Sequence, residues 1–213
     1  FPLQYFYDVR ESILRIRVEN SHLEEDELFD LRRSLSTIAD MVKILNHSDD
    51  DDEPEDGWKR EKKYPYPALH RLSQDVVTFP QLIQRTDQIL DKFGKIRDNA
   101  TPELLQIRRE LAKTEGSISR TLYSILRSAQ SEGIVEKDVT PTLRDGRLVI
   151  PVIPTLKRKI KGIVHDESAT GKTVFIEPTE LVEANNRVRE LEGEERKEII
   201  RILTDFTNKV RPY

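Results

Sequence analysis

Gly171-Lys172-Thr173 has the ending of a phosphate-binding loop and is the first place where chemistry could reside. Such a loop wraps phosphates in backbone N–H groups, needs a glycine five residues earlier, and stands between a strand and a helix. Asp166 holds that earlier position, the nearest upstream glycine is Gly162, and the run after Thr173 is strand-like, so nucleotide binding is not expected here. His165-Asp166-Glu167-Ser168 contains the residue types of a hydrolytic triad. Neighbours in one turn cannot take up the nucleophile, base and orienter geometry, and turn chemistry accounts for them better. His22, His47, His70 and His165 lack the i, i+4 spacing of a helical metal pair. The absence of cysteine removes thiol nucleophiles, disulfides and Cys-ligated zinc. No catalytic residue, cofactor site or metal site is expected in these residues.

The basic residues are more informative. Lys157, Arg158, Lys159, Lys161 and Lys172, with Arg144 and Arg147, make seven cations between Arg144 and Lys172, against the three acids Asp145, Asp166 and Glu167. A surplus of four positive charges on so short a stretch fits either a solvated face or a phosphate-backbone contact. If the stretch is extended, Lys157, Lys159 and Lys161 point one way and form the set expected to face a phosphate backbone. The chain as a whole carries net charge −4 over 213 residues, because seven acids crowd into the eight residues Asp49 to Asp56. That run reads as a solvated linker extending from 48 to 66, since contiguous acids repel and lack the spacing of a calcium loop.

The elements that must position these residues are mainly helical: 35% of residues are charged, and there are only 8 glycines. A short helix is predicted over 8–18. Ser21 with Glu24 reads as a capping box opening a helix over about 22–46, and two short helices follow the linker. Thr101-Pro102-Glu103 starts a long helix whose Leu104, Leu111, Ile118 and Ile125 recur every seven residues, with Gly133 as its stop. A second long helix is predicted over about 179–210. Its seam runs through Leu181, Ala184, Val188 and Leu191, then resumes at Ile202 and Phe206 after a shift at Glu195 that implies a change of winding or of neighbour. Between them, Leu148–Ile153, Ile160–Val164 and Thr173–Ile176 read as three strands, with turns at Asp145-Gly146 and Ser168–Gly171. The fold class is therefore mainly α with a small β module: a helical core domain, a long antiparallel coiled-coil lever and a three-stranded β-rich clamp at its tip. The expected boundaries are 1–100 for the core, 101–135 for the outgoing lever helix, 136–177 for the clamp and 178–213 for the returning helix. No apolar run is long enough to span a membrane, and no signal peptide is evident at Phe1-Pro2-Leu3. Without an initiating Met, the chain reads as a fragment of a longer protein.

The residues from Asp145 to Val152, from Lys157 to Asp166, Ser168-Ala169-Thr170-Gly171, Thr173 to Pro178, and Asn185-Asn186 together resemble the clamp region of the bacterial MutS family. The likeness is to its anti-recombination, second-type branch. Ile96-Arg97-Asp98 and Thr101-Pro102-Glu103-Leu104 look like the start of the lever in that branch. The resemblance implies a core, lever and clamp segment of a dimeric ATPase that encircles branched or duplex DNA without sequence specificity and restrains homologous recombination. It also implies ATP and Mg²⁺ as cofactors of the parent, a C-terminal Smr nuclease domain in some members, and a cytoplasmic, nucleoid-associated location. Neither ATPase nor nuclease motifs occur in these residues, so the chain itself is not expected to be an enzyme. Two functions follow: a DNA-backbone clamp using Lys157, Arg158, Lys159, Lys161 and Lys172, or a coiled-coil arm that docks on protein or on the ribosome and its RNA.

Overall fold

The computed structural model describes residues 4–48 and 63–212; the acidic run at 49–56 and most of the expected linker lie outside the described residues. The chain forms two compact units, one comprising Phe1–Thr101 with Ile199–Tyr213 and the other Pro102–Glu198.

The first unit is helical, with α1 (Arg10–Arg15), α2 (Glu25–Asn46), α3 (Pro67–Ser73) and α4 (Pro80–Ile89). The cap of α2 lies three residues beyond its predicted place: Glu24 is the N-cap, and its N–H donates to the Glu27 carboxylate at 2.9 Å. Ser21 instead turns its hydroxyl back to the Val18 carbonyl, which leaves the capping task to the next acid pair. Leu28, Leu31 and Leu45 bury one stripe of α2, while the buried Ser34 and Thr37 hydroxyls donate to the carbonyls of Tyr7 and Tyr5. Helices α3 and α4 both open with proline at the first position. The apolar residues of α3 do not form a buried face, and Leu72 is 76% exposed.

Gly94 is the glycine that this unit requires. Its φ of +79° is left-handed, and a β-carbon there would meet the Phe29 ring. The C-terminal residues 199–210 also belong to this unit. Thr207 is fully buried, accepting the Leu23 N–H at 3.0 Å, and Arg211 donates to the Ile16 carbonyl at 2.7 Å.

The second unit holds α5 (Pro102–Ser131), a four-stranded antiparallel sheet, and the first part of α6 (Val182–Val210). Gly133, with φ +71°, ends α5, and the Ile134 N–H reaches back to the Ala129 carbonyl at 2.9 Å. The sheet order is β1 (Thr142–Arg144), β2 (Arg147–Val152), β4 (Val174–Pro178), β3 (Gly162–Glu167). Four strands replace the three expected. The extra one, β1, has too few apolar residues to signal itself, and Asp145-Gly146 folds it onto β2 with both turn residues at positive φ. Strand β3 also starts later and runs through His165 to Glu167, so these residues lie in a strand rather than in a turn.

Ile118, Leu122 and Leu126 of α5, Ile150 and Val152 of β2, Val174 and Ile176 of β4, and Leu181 and Val188 around the start of α6 share one core. Ion pairs join the long helices within this unit, among them Arg108 with Glu195 at 2.7 Å and Arg187 with Glu110 at 2.9 Å. The later α5 residue meets the earlier α6 residue, so the helices run antiparallel there. Arg187 is held fully charged by hydrogen bonds to Glu110 and then Glu190. Helix α6 passes from one unit to the other just beyond Glu195, between Glu198 and Ile199. The seam shift therefore marks a change of neighbour.

Candidate nucleic-acid interface

A buried polar cluster organises the β module. Glu177 of β4 has no solvent exposure. Its Oε1 accepts from the Arg147 guanidinium at 2.7 Å and the Asn185 amide at 2.8 Å, while its Oε2 pairs with the His165 ring. Arg147 also donates to the Asn186 side-chain oxygen at 2.6 Å. Strands β2, β3 and β4 are thereby tied to the first turn of α6 through one carboxylate. Burial pushes the Glu177 carboxyl up, but the hydrogen bonds from Asn185, His165 and Arg147, with the charge of Arg147, outweigh burial and hold it below its ordinary value.

Gly162 permits this closeness. A β-carbon there would penetrate the van der Waals envelope of the Glu177 carbonyl oxygen in the adjoining strand. The functional expectations from sequence missed this cluster. Its available signal was a glutamate directly following the apolar run Val174-Phe175-Ile176, where an unpaired charge could not be buried.

Arg144 is also engaged internally. Its guanidinium lies 4.2 Å from the Phe175 ring centroid and 3.3 Å from Asp166. Of the seven cations between Arg144 and Lys172, the remaining five are Lys157, Arg158, Lys159, Lys161 and Lys172. All five are exposed, and none forms an ion pair among the described residues.

Their arrangement corrects the expected strand alternation. Pro154–Lys159 is a 3-10 helix opened by Pro154, with Leu156 packed against the core and Ile160 buried at its end. Successive side chains turn by about 120°, so Lys157 and Lys159 do not share a side and parity selects no set. Lys157, Arg158 and Lys159 form the end of this short helix, and Lys161 follows just beyond its cap Ile160. Lys172 lies beyond the other end of β3, about 20 Å away at strand rise.

Gly171-Lys172-Thr173 belongs to the β3–β4 hairpin turn. Gly171 takes φ +67° and donates its N–H to the Ser168 carbonyl at 2.7 Å, and the Thr173 N–H donates to the Ser168 hydroxyl at 3.0 Å. Thr173 leads into β4, not a helix. These residues do not fit an ATP-binding loop.

No family profile matches the chain. Sequence comparison does find relatives along its length: the chain is 36% identical over 212 residues to the endonuclease MutS2 of Levilactobacillus brevis, covering all of this chain and 25% of that protein. It is 32% identical over 212 residues to that of Lacticaseibacillus paracasei, with the same coverage. Against the MutS2 of Pelotomaculum thermopropionicum it is 37% identical over 148 residues, covering 70% of this chain and 19% of that protein. The chain belongs to the MutS family, in its MutS2 branch. It spans about a quarter of the length of the first two of these relatives. Among the described residues, no helix is long and apolar enough to cross a membrane.

Proposed function

We propose that the β module and its cations form a DNA-backbone clamp within a MutS2-type protein that binds branched or duplex DNA without sequence specificity and restrains homologous recombination. The observation that carries this reading is the division of the charges. Arg144 and Arg147 are consumed inside the module, whereas Lys157, Arg158, Lys159, Lys161 and Lys172 stay solvated and unpaired among the described residues.

Phosphate contact needs only such cations on a rigid support, and it releases counterions instead of reading base edges. In this reading residues 1–100 form the core, 101–135 and 178–213 the coiled-coil lever, and 136–177 the clamp. The ATP- and Mg²⁺-dependent steps, the dimer and any nuclease activity belong to the longer protein, acting in the bacterial cytoplasm.

The test is a salt titration of four-way-junction binding by the longer protein with Lys157, Lys159 and Lys161 changed to Glu. Each lost duplex phosphate contact lowers the magnitude of the log–log slope by about 0.9. Unchanged affinity and slope would overturn the reading. Affinity for ribosomes that outcompetes the junction would transfer the function to a docking arm.

A further inference from the structure

The solvent face of α5, opposite its buried Ile118 and Leu122, carries a second charge pattern. At 100° per residue, Arg109, Lys113, Arg120, Tyr123 and Arg127 fall within a sector about 100° wide along roughly 27 Å of helix. The three acids of α5, Glu103, Glu110 and Glu115, all lie outside that sector, and from Gly116 to Ser131 the helix has none. All five side chains are exposed, and the four cations form no ion pair among the described residues. Arg108, next to Arg109 in sequence and about 100° round the helix, is instead paired with Glu195.

Tyr123 is 51% exposed and sits between Arg120 and Arg127, at i−3 and i+4. With Ser119 and Ser124 these three line one shallow depression. Guanidinium and hydroxyl donors can meet phosphate oxygens, and a half-exposed aromatic ring without an apolar partner surface is a stacking platform for a base.

We propose that this face of α5 binds single-stranded DNA, with Arg109, Lys113, Arg120 and Arg127 following the backbone and Tyr123 stacking on a base. A single strand is the fitting occupant because Tyr123, exposed between Arg120 and Arg127, can stack on an unpaired base, whereas the bases of a duplex keep their faces inside the stack. The proposal stands on α5 alone and does not require the cations at Lys157–Lys161. Its choice of DNA over RNA rests on the preceding functional reading.

The test is fluorescence anisotropy of a labelled 20-residue oligo(dT) with the 213-residue chain across a salt series, with circular dichroism confirming helix content in each variant. Tyr123→Ala is expected to weaken binding about tenfold, while Tyr123→Phe stays within about twofold, because the ring supplies the contact. Arg120→Gln with Arg127→Gln should lower the magnitude of the salt slope by about 1.4, at 0.7 per single-strand phosphate, and Arg109→Gln with Lys113→Gln should do the same. Absence of binding by the wild-type chain, or variants that bind like wild type, would overturn the proposal. Tenfold tighter binding of oligo(rU), or equally tight binding of a 20-base-pair duplex with the same sensitivity to Tyr123→Ala, would overturn it too. Failure of the Lys157–Lys161 substitutions to affect junction binding leaves these readouts untouched, so the two readings fail separately.

Discussion

The β module contains two charged regions whose environments are opposite. Around Glu177 a carboxylate is sealed from solvent and shared by Arg147, His165 and Asn185, so every charge has a partner and a fixed distance. Around Lys157–Lys161 four cations are crowded into five residues with no ion-pair partner among the described residues. The first arrangement costs desolvation and returns it through hydrogen bonds, which makes it sensitive to any single loss. The second costs almost nothing in the folded state and leaves its charge available. The places of Arg147, Glu177 and Asn185 are thus explained by architecture, without requiring those residues to touch a ligand.

The largest effects should come from breaking the sealed region. Glu177→Ala leaves Arg147 without its carboxylate and should destabilise the chain by about 3 kcal/mol in urea unfolding. Gly162→Ala should cost a similar amount, about 3 kcal/mol, because its methyl group meets the backbone oxygen of Glu177, which cannot move without disturbing the strand pair. Replacement of Arg147 by Lys should cost less, about 1 kcal/mol, since one ammonium cannot reproduce the bonds that the planar guanidinium makes to Glu177 and Asn186. If Glu177→Ala unfolded at the wild-type urea concentration, the cluster would not be what holds the sheet to α6.

Acid should sharpen the same contrast. The carboxyl of Glu177 is held below its ordinary value in the folded chain, so its contribution is fully present above the unfolded carboxylate range, about pH 4.3, and is lost as pH falls through the lower folded value. Stability measured from pH 6 down to pH 3 should therefore fall more steeply in wild type than in Glu177→Gln. Parallel curves for the two proteins would contradict this assignment.

Much of this organisation was legible in the sequence, and the failures have specific causes. The long helices declared themselves through Leu104, Ile118, Val188 and Leu191, all of which are buried. Glu195 at the shifted seam signalled a change of winding or of neighbour, and α6 leaves the second unit just beyond it. Strand β1 was missed because Thr142-Leu143-Arg144 has neither length nor alternation, and only its Asp145-Gly146 turn was visible. The extended reading of Lys157–Lys161 overlooked Pro154 as a helix start and Leu156 as the residue anchoring the turn. The buried cluster was harder to foresee, because Arg147, His165, Glu177 and Asn185 are separated by up to 38 positions and only the strand pairing brings them together.

A partly exposed ion pair provides an intermediate case. Arg108 and Glu195 are each about one-quarter exposed and lie 2.7 Å apart, so solvent screens their attraction in both states. Arg108→Gln should cost about 0.5 kcal/mol, well below Glu177→Ala, and the difference should shrink in high salt. A cost as large as that of Glu177→Ala would mean that burial is not what separates the two regions.

The smallest stability effect is expected at the open cations. Changing Lys157, Lys159 and Lys161 to Gln removes three like charges from five residues, breaks no ion pair among the described residues and leaves Leu156 and Ile160 in place. Repulsion is relieved at the same time as little or no attraction is lost, so urea unfolding should shift by less than about 0.5 kcal/mol, with a rise as acceptable as a fall. If the region instead contributes stability through an unrecognised internal contact, the triple change would cost 1 kcal/mol or more. That outcome would abolish the contrast between a charge cluster that holds the fold together and one left free for a partner, and it would remove the main physical support for a DNA-facing role. Near-neutral stability combined with a reduced salt slope for junction binding is the result that both the contrast and the clamp reading require.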